Sequence, residues 1–141
     1  SIIDSYYNQF SSIRSFMDDC IKNARNNGYV STLFGRKRFI SDLDSPNRQL
    51  QGNAERIAIN TTVQGSAADI IKRAMNLISV EMAAFQSHLI MQVHDELVFD
   101  VHTNELLPIK SMVVEQMESS VSLAVPLVVD VEVGKNWGRV A

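Results

Sequence analysis

Two short strand-like runs, His88-Leu89-Ile90-Met91-Gln92-Val93 and Leu97-Val98-Phe99-Asp100-Val101, are separated by only His94-Asp95-Glu96. Parallel pairing would need a crossover of about a dozen residues or more, so two β-prone runs this close in sequence form a tight antiparallel hairpin. The chain is thereby committed to an antiparallel sheet with a charged tip, and the remaining elements have to pack on it.

Those elements read mostly as helices. Between Ile2 and Asn27, apolar residues from Ile3 through Phe10, Ile13 and Met17 to Ala24 recur at three and four, the helical period. Gly28 supplies a left-handed stop. Tyr29 to Ile40 reads as a second short hairpin with Arg36-Lys37-Arg38 at its tip, and Ser41 to Asn53 as a polar loop. From Ala54 to about Phe85 the pattern is helical, with a kink or break expected at Gln64-Gly65-Ser66, so that two helices or one bent helix both fit. A helix from Asn104, as N-cap, to Val121 and a last strand from Leu127 to Val133 complete the order. The fold class is α+β with an antiparallel sheet, two β-hairpins and packed helices.

The 141 residues carry 13 Lys+Arg against 16 Asp+Glu, which alone argues against a polyanionic partner. By region the balance differs. Residues 28 to 80 hold seven basic and four acidic side chains, and residues 81 to 141 hold three and nine. A basic middle beside an acidic end suits a site that holds phosphates on one side and a divalent metal on the other, although ordinary fluctuation along a chain accounts for such imbalances equally well. No apolar stretch approaches a membrane span and no signal peptide is read at the N-terminus, so no membrane partner is expected. Cys20 stands alone, which excludes an internal disulfide and fits a reducing, cytoplasmic setting.

Three groups of residues could carry chemistry. Asp95 and Glu96 are adjacent carboxylates that a tight turn does not require, and a bound cation such as Mg²⁺ would offset their repulsion; a solvated polar turn also fits. Arg56, Asn60 and Gln64 recur every four residues, so their side chains rise nearly one above another on a helix. All three are donors, as reading purine N3 and pyrimidine O2 in a minor groove requires; a plain solvated face is the alternative. Arg36 and Arg38, with Lys37, Arg48, Lys72 and Arg73, could contact phosphates or simply line a solvated turn. His88 and His102 flank the acidic hairpin without metal-ligand spacing, the methionines fall on apolar faces, and Trp137 is expected to pack over the C-terminus.

In series, Gly28-Tyr29-Val30-Ser31-Thr32-Leu33-Phe34-Gly35-Arg36-Lys37-Arg38, then Ala54-Glu55-Arg56-Ile57-Ala58-Ile59-Asn60 leading into Gln64-Gly65-Ser66-Ala67-Ala68-Asp69-Ile70-Ile71-Lys72, then Gln92-Val93-His94-Asp95-Glu96-Leu97-Val98, the chain resembles the C-terminal part of family A DNA polymerases, the bacterial DNA polymerase I type. Val125 to Trp137 is similar to that family's terminal strand. The resemblance covers essentially the whole chain. Lys37 stands where many relatives have Arg, and Phe10-Ser11-Ser12-Ile13 replaces the usual Tyr-Pro-Gly-Val, which predicts a more continuous first helix.

The resemblance implies a DNA-directed DNA polymerase that joins a primer 3′-hydroxyl to a dNTP by two-metal catalysis, in replication or repair. Asp95 matches the metal-binding aspartate and Glu96 its weaker companion, with Mg²⁺ as cofactor. His94 matches the residue beside the primer terminus, and Arg56, Asn60 and Gln64 match the helix that contacts primer–template DNA. Residues 1–141 then correspond to the end of the fingers region and the palm. The other metal-binding aspartate and the Lys/Tyr helix that grips the nucleotide would lie in a missing N-terminal portion. The chain alone is therefore expected to be inactive and, through exposed apolar surface, either to self-associate or to bind a partner. A non-catalytic nucleic-acid-binding module on the same scaffold is the alternative, and a different metal-dependent phosphoryl-transfer enzyme is less consistent with the Arg56, Asn60, Gln64 stripe.

Overall fold

The structure, a computed structural model, describes residues 2–139. Its elements are α1 (Ile2–Gln9), α2 (Ser11–Asn27), β1 (Tyr29–Ser31), β2 (Lys37–Phe39), α3 (Arg48–Met82), β3 (His88–Val93), β4 (Glu96–Asp100) and α4 (Leu106–Glu118), with 3₁₀ turns at Thr103–Glu105 and Trp137–Arg139. Each sheet is a two-stranded antiparallel pair, β1 with β2 and β3 with β4, so the α+β expectation holds. The chain divides into two compact units, one up to Asp69 and one from Ile70.

In the first unit, Ala24, Ala54 and Ala58 are buried with Val30 and Leu43, and Ile40 packs against them. Small side chains on α2 and α3 leave room for β1 and the loop to close over the core. Gly28 ends α2 at φ 75°, and its N–H donates to Ala24 O at 2.8 Å, the αL stop read from the sequence. Arg25 bonds Glu55 at 2.5 Å, and its Nε lies 3.6 Å from Asp44, tying α2 to the loop and α3. The chain breaks at Phe10, whose backbone (φ −118°, ψ 59°) leaves the helix, contrary to the continuous first helix expected. Serine is a weaker helix former than the straight-chain residues, and the Phe10 ring centre settles 5.1 Å from that of Tyr6.

α3 departs from the sequence reading at its start. It starts at Arg48, inside the run read as loop, because Asn47 Oδ1 accepts the Gln49 N–H at 2.9 Å and caps the helix. Through Gln64-Gly65-Ser66 it continues as one helix, the single-helix alternative rather than two helices. Gly65 is there for close approach: a Cβ at that position would stand 2.9 Å from Thr32 Cγ2. A helical glycine costs about 1 kcal/mol against alanine, and the contact accounts for it.

The second unit is built on Ile78, Met82, Ile109 and Val113, with Phe85, Leu97, Phe99, Val101, Met112 and Met117 packed against them. α4 begins at Leu106 after a 3₁₀ turn, with Glu105 rather than Asn104 at its N-cap, and Pro108 falls in the first turn where no N–H is needed. Glu105 is engaged elsewhere: its carboxylate accepts from Gln86 N (3.1 Å), Ser87 N (3.1 Å) and Ser87 Oγ (2.6 Å). Leu127 to Val133 is not a strand, since no ladder partner stands beside it among the described residues; Val129 N donates to Glu118 Oε1 at 3.0 Å instead. Trp137 is 56% exposed and does not serve as the packing anchor expected.

Candidate nucleic-acid interface and carboxylate hairpin

Val93 pairs with Glu96, so the β3–β4 loop is the two residues His94 and Asp95, and Glu96 is the first residue of β4. His94 takes φ 53° and Asp95 stays at negative φ, the pattern of a turn that favours glycine at its first position. Gln92 Nε2 donates across the turn to His94 O at 3.0 Å. Ile90 is left unpaired between Leu89 and Met91, a bulge that adds twist below the tip. His94, Asp95 and Glu96 are all exposed, and neither carboxylate makes a salt bridge among the described residues. Carboxylate oxygens are the donors that hard divalent cations take, so the chemistry of the tip fits a metal. The set is partial: among the described residues no group of three or more His, Cys, Asp or Glu gathers at one point.

The first unit holds a different kind of surface. Thr32, Arg36, Lys37, Arg38, Ile57, Asn60, Thr61, Gln64 and Gly65 line an open notch of about 540 Å³. The structure thus brings together Arg36, Arg38, Asn60 and Gln64 of the sequence-derived set; Arg56 stands on the same exposed stripe of α3 but outside the notch lining. Arg56, Asn60 and Gln64 make no side-chain hydrogen bond or ion pair among the described residues, which leaves their donors open to a ligand. Arg36 and Arg38 differ from them. Arg36 Nη2 lies 2.6 Å from Asp69 Oδ1 and 3.4 Å from Gly65 O, and Arg38 Nη1 donates to Thr61 Oγ1 at 3.2 Å. Lys37, on β2 rather than at the hairpin tip, sits 4.3 Å from the centre of the Tyr29 ring.

Sequence reasoning missed Asp69, Ser66 and Gln92. Ser66 Oγ accepts the Leu33 N–H at 2.8 Å and donates to Thr62 O at 2.5 Å, docking the first hairpin on α3. A signal for Asp69 was present, because it is the sole acidic residue between Glu55 and Glu81, amid Arg56, Lys72 and Arg73. Burying a lone carboxylate among cations requires a partner.

Exposed carboxylates on a hairpin tip are the chemistry that divalent cations take, and the basic, amide-bearing notch offers the donors that nucleic-acid acceptors take. The chain belongs to DNA polymerase family A, whose family model matches residues 1–139. It is 45% identical over 141 residues to DNA polymerase I of Mycobacterium leprae, matching 99% of this chain and 16% of the relative. It is 43% identical over 137 residues to DNA polymerase I of Streptococcus pneumoniae, again across 16% of the relative's length. Its fold is similar to that of the POL domain of Pol1 from M. smegmatis, a complex with DNA primer-template and dNTP, at TM-score 0.86 and 42% identity over 89% of this chain and 22% of that one. The chain thus spans about a sixth of these curated relatives. Family A DNA polymerases generally use divalent metals. No helix among the described residues is long and apolar enough to cross a membrane.

Proposed function

We propose that this chain supplies the primer-terminus part of the active site of a DNA-directed DNA polymerase, in which Asp95 and Glu96 hold Mg²⁺ and the α3 stripe holds the terminal base pairs of primer–template DNA. The observation that carries the reading is the Arg56, Asn60, Gln64 stripe, whose exposed donors have no partner among the described residues. Asn60 and Gln64 sense acceptors common to every Watson–Crick pair, so they favour correct pairing at the terminus without reading sequence. Arg38 and Lys37 face the notch and attract the backbone phosphates. Asp95 supplies the principal metal carboxylate and Glu96 an auxiliary one, while His94 holds the primer end beside them. When bound, the metal ions lower the pKa of the primer 3′-hydroxyl and offset charge on the triphosphate. The dNTP is gripped by residues in the rest of the polymerase, which also supplies the second metal aspartate. The M. smegmatis relative, captured with DNA primer-template and dNTP, supports these partners.

Asp95→Ala in the complete polymerase tests the assignment. It should lower turnover by at least about a hundredfold, the effect of deleting one preorganised electrostatic group, and leave primer–template affinity within about twofold. Retained turnover overturns it.

A further inference from the structure

Resting on that DNA-binding reading, we propose that Arg36 does not contact DNA and that Asp69 and Arg36 together form a positioning clamp that sets the basic hairpin against α3. Arg36 and Arg38 are two residues apart and line the same notch, yet their guanidinium groups are differently spent. Arg38 bonds a neutral hydroxyl, that of Thr61, and keeps its charge for a phosphate. Arg36 is neutralised by Asp69 at 2.6 Å, and a phosphate would have to displace a carboxylate already in place.

The surroundings of Asp69 strengthen the argument. Its side chain is 14% exposed, against 52% for Arg36, and Oδ2 is buried with no hydrogen-bond partner. A carboxylate in that position depends on its one cation, since removing the partner leaves a buried charge unpaired. Asp69 lies one helical turn beyond Gly65, the residue against which Thr32 packs, and Gly65 O accepts from Arg36 as well. Leu33 N on Ser66 Oγ makes a second tie. The tip between β1 and β2 is thus held to α3 by an ion pair, two hydrogen bonds and a glycine-permitted contact. Lys37 and Arg38 follow directly, so their approach to the notch depends on where Arg36 is held.

Salt dependence separates a positioning residue from a phosphate ligand. Each phosphate contact contributes about 0.9 to the slope of log affinity against log salt, so deleting a true ligand lowers the slope by about one. Primer–template binding by the complete polymerase, followed by fluorescence anisotropy across a KCl series, should show Arg36→Ala and Asp69→Asn each weakening affinity by on the order of fivefold, the double variant no weaker than either, and every slope unchanged. Arg36→Ala lowering the slope by about one, or Asp69→Asn tightening binding by freeing Arg36, would overturn the clamp. Should Asp69→Asn fail to fold, the Arg36→Ala slope decides alone. If the parent polymerase does not bind primer–template DNA, the functional reading itself falls, a result distinct from a changed slope.

Discussion

Val93 and Glu96 face each other across β3 and β4, and the two residues left to close the loop include His94 at φ 53°. An L-residue in the left-handed region costs about 1–2 kcal/mol, and a histidine is held there by the register of its own hairpin and by Gln92 Nε2 on its carbonyl. Strain of this kind at a carboxylate tip is the expected mark of a turn whose residues are chosen for function.

Relief of that strain is measurable. His94→Gly should hold stability or raise it by up to about 1 kcal/mol, the left-handed penalty less the extra freedom of glycine in the unfolded chain, while His94→Ala, which must adopt the same φ, gains nothing. Denaturant midpoints give the order. Alanine above glycine would show that the backbone at His94 is not strained.

The chain by itself should not extend a primer. Its described residues gather no group of three metal-ligating side chains, and its matched relatives are about six times as long. With Mg²⁺ and four dNTPs, the purified 141 residues should leave a labelled primer at its starting length on a sequencing gel. Extension products would show that this segment contains a whole active site.

Local chemistry made part of this molecule legible. The αL stop at Gly28 and the hairpin of β3 and β4 depend on residues within a turn of one another, and both were read from the chain. So was the place of the carboxylate pair at that hairpin's turn, because a tight connection favours polar residues. The misread positions depend on distant partners. Gly65 looks like a helix breaker until Thr32, 33 residues earlier, fills the space beside it. Arg36 looks like a free cation until Asp69 is folded against it. Leu127 to Val133 has a strand's composition, but composition cannot provide the neighbouring strand. At Asn47 the signal was local and was hidden within a run of equally polar residues.

The Gly65–Thr32 contact sets up a double-mutant cycle. Gly65→Ala places a methyl 2.9 Å from Thr32 Cγ2, and Thr32 is buried, β-branched and anchored by the Arg36 N–H on its Oγ1 at 3.2 Å. The clash costs about 1–3 kcal/mol and alanine returns about 1 in helix propensity, so a net loss of about 1 kcal/mol is expected. Adding Thr32→Ser removes Cγ2 and should recover most of it. Additive losses in thermal melts would mean that the two residues do not compete for the same space.

Glu105 governs the last prediction. The Ser87 hydroxyl at 2.6 Å and the Gln86 and Ser87 N–H groups stabilise its anion, with His102 nearby, and together they outweigh desolvation and hold its pKa below the usual 4.5. Because the folded state binds this proton less readily than the unfolded chain, the contribution is complete above about pH 4.5 and is lost as pH falls through the lower folded value. Ser87 Oγ also accepts the His102 N–H at 2.8 Å, so the carboxylate ties the segment after α3 to the end of the β4 hairpin. Glu105→Gln should therefore melt below the parent near neutral pH, because one of its two terminal atoms becomes a donor facing other donors. Lowering the pH from about 7 to about 3.5 should narrow the gap as the parent's Glu105 protonates, whereas the other carboxylates, common to both proteins, cancel from the comparison. A gap that stays constant across that range would mean that the Ser87 and Gln86 bonds do not favour the charged form.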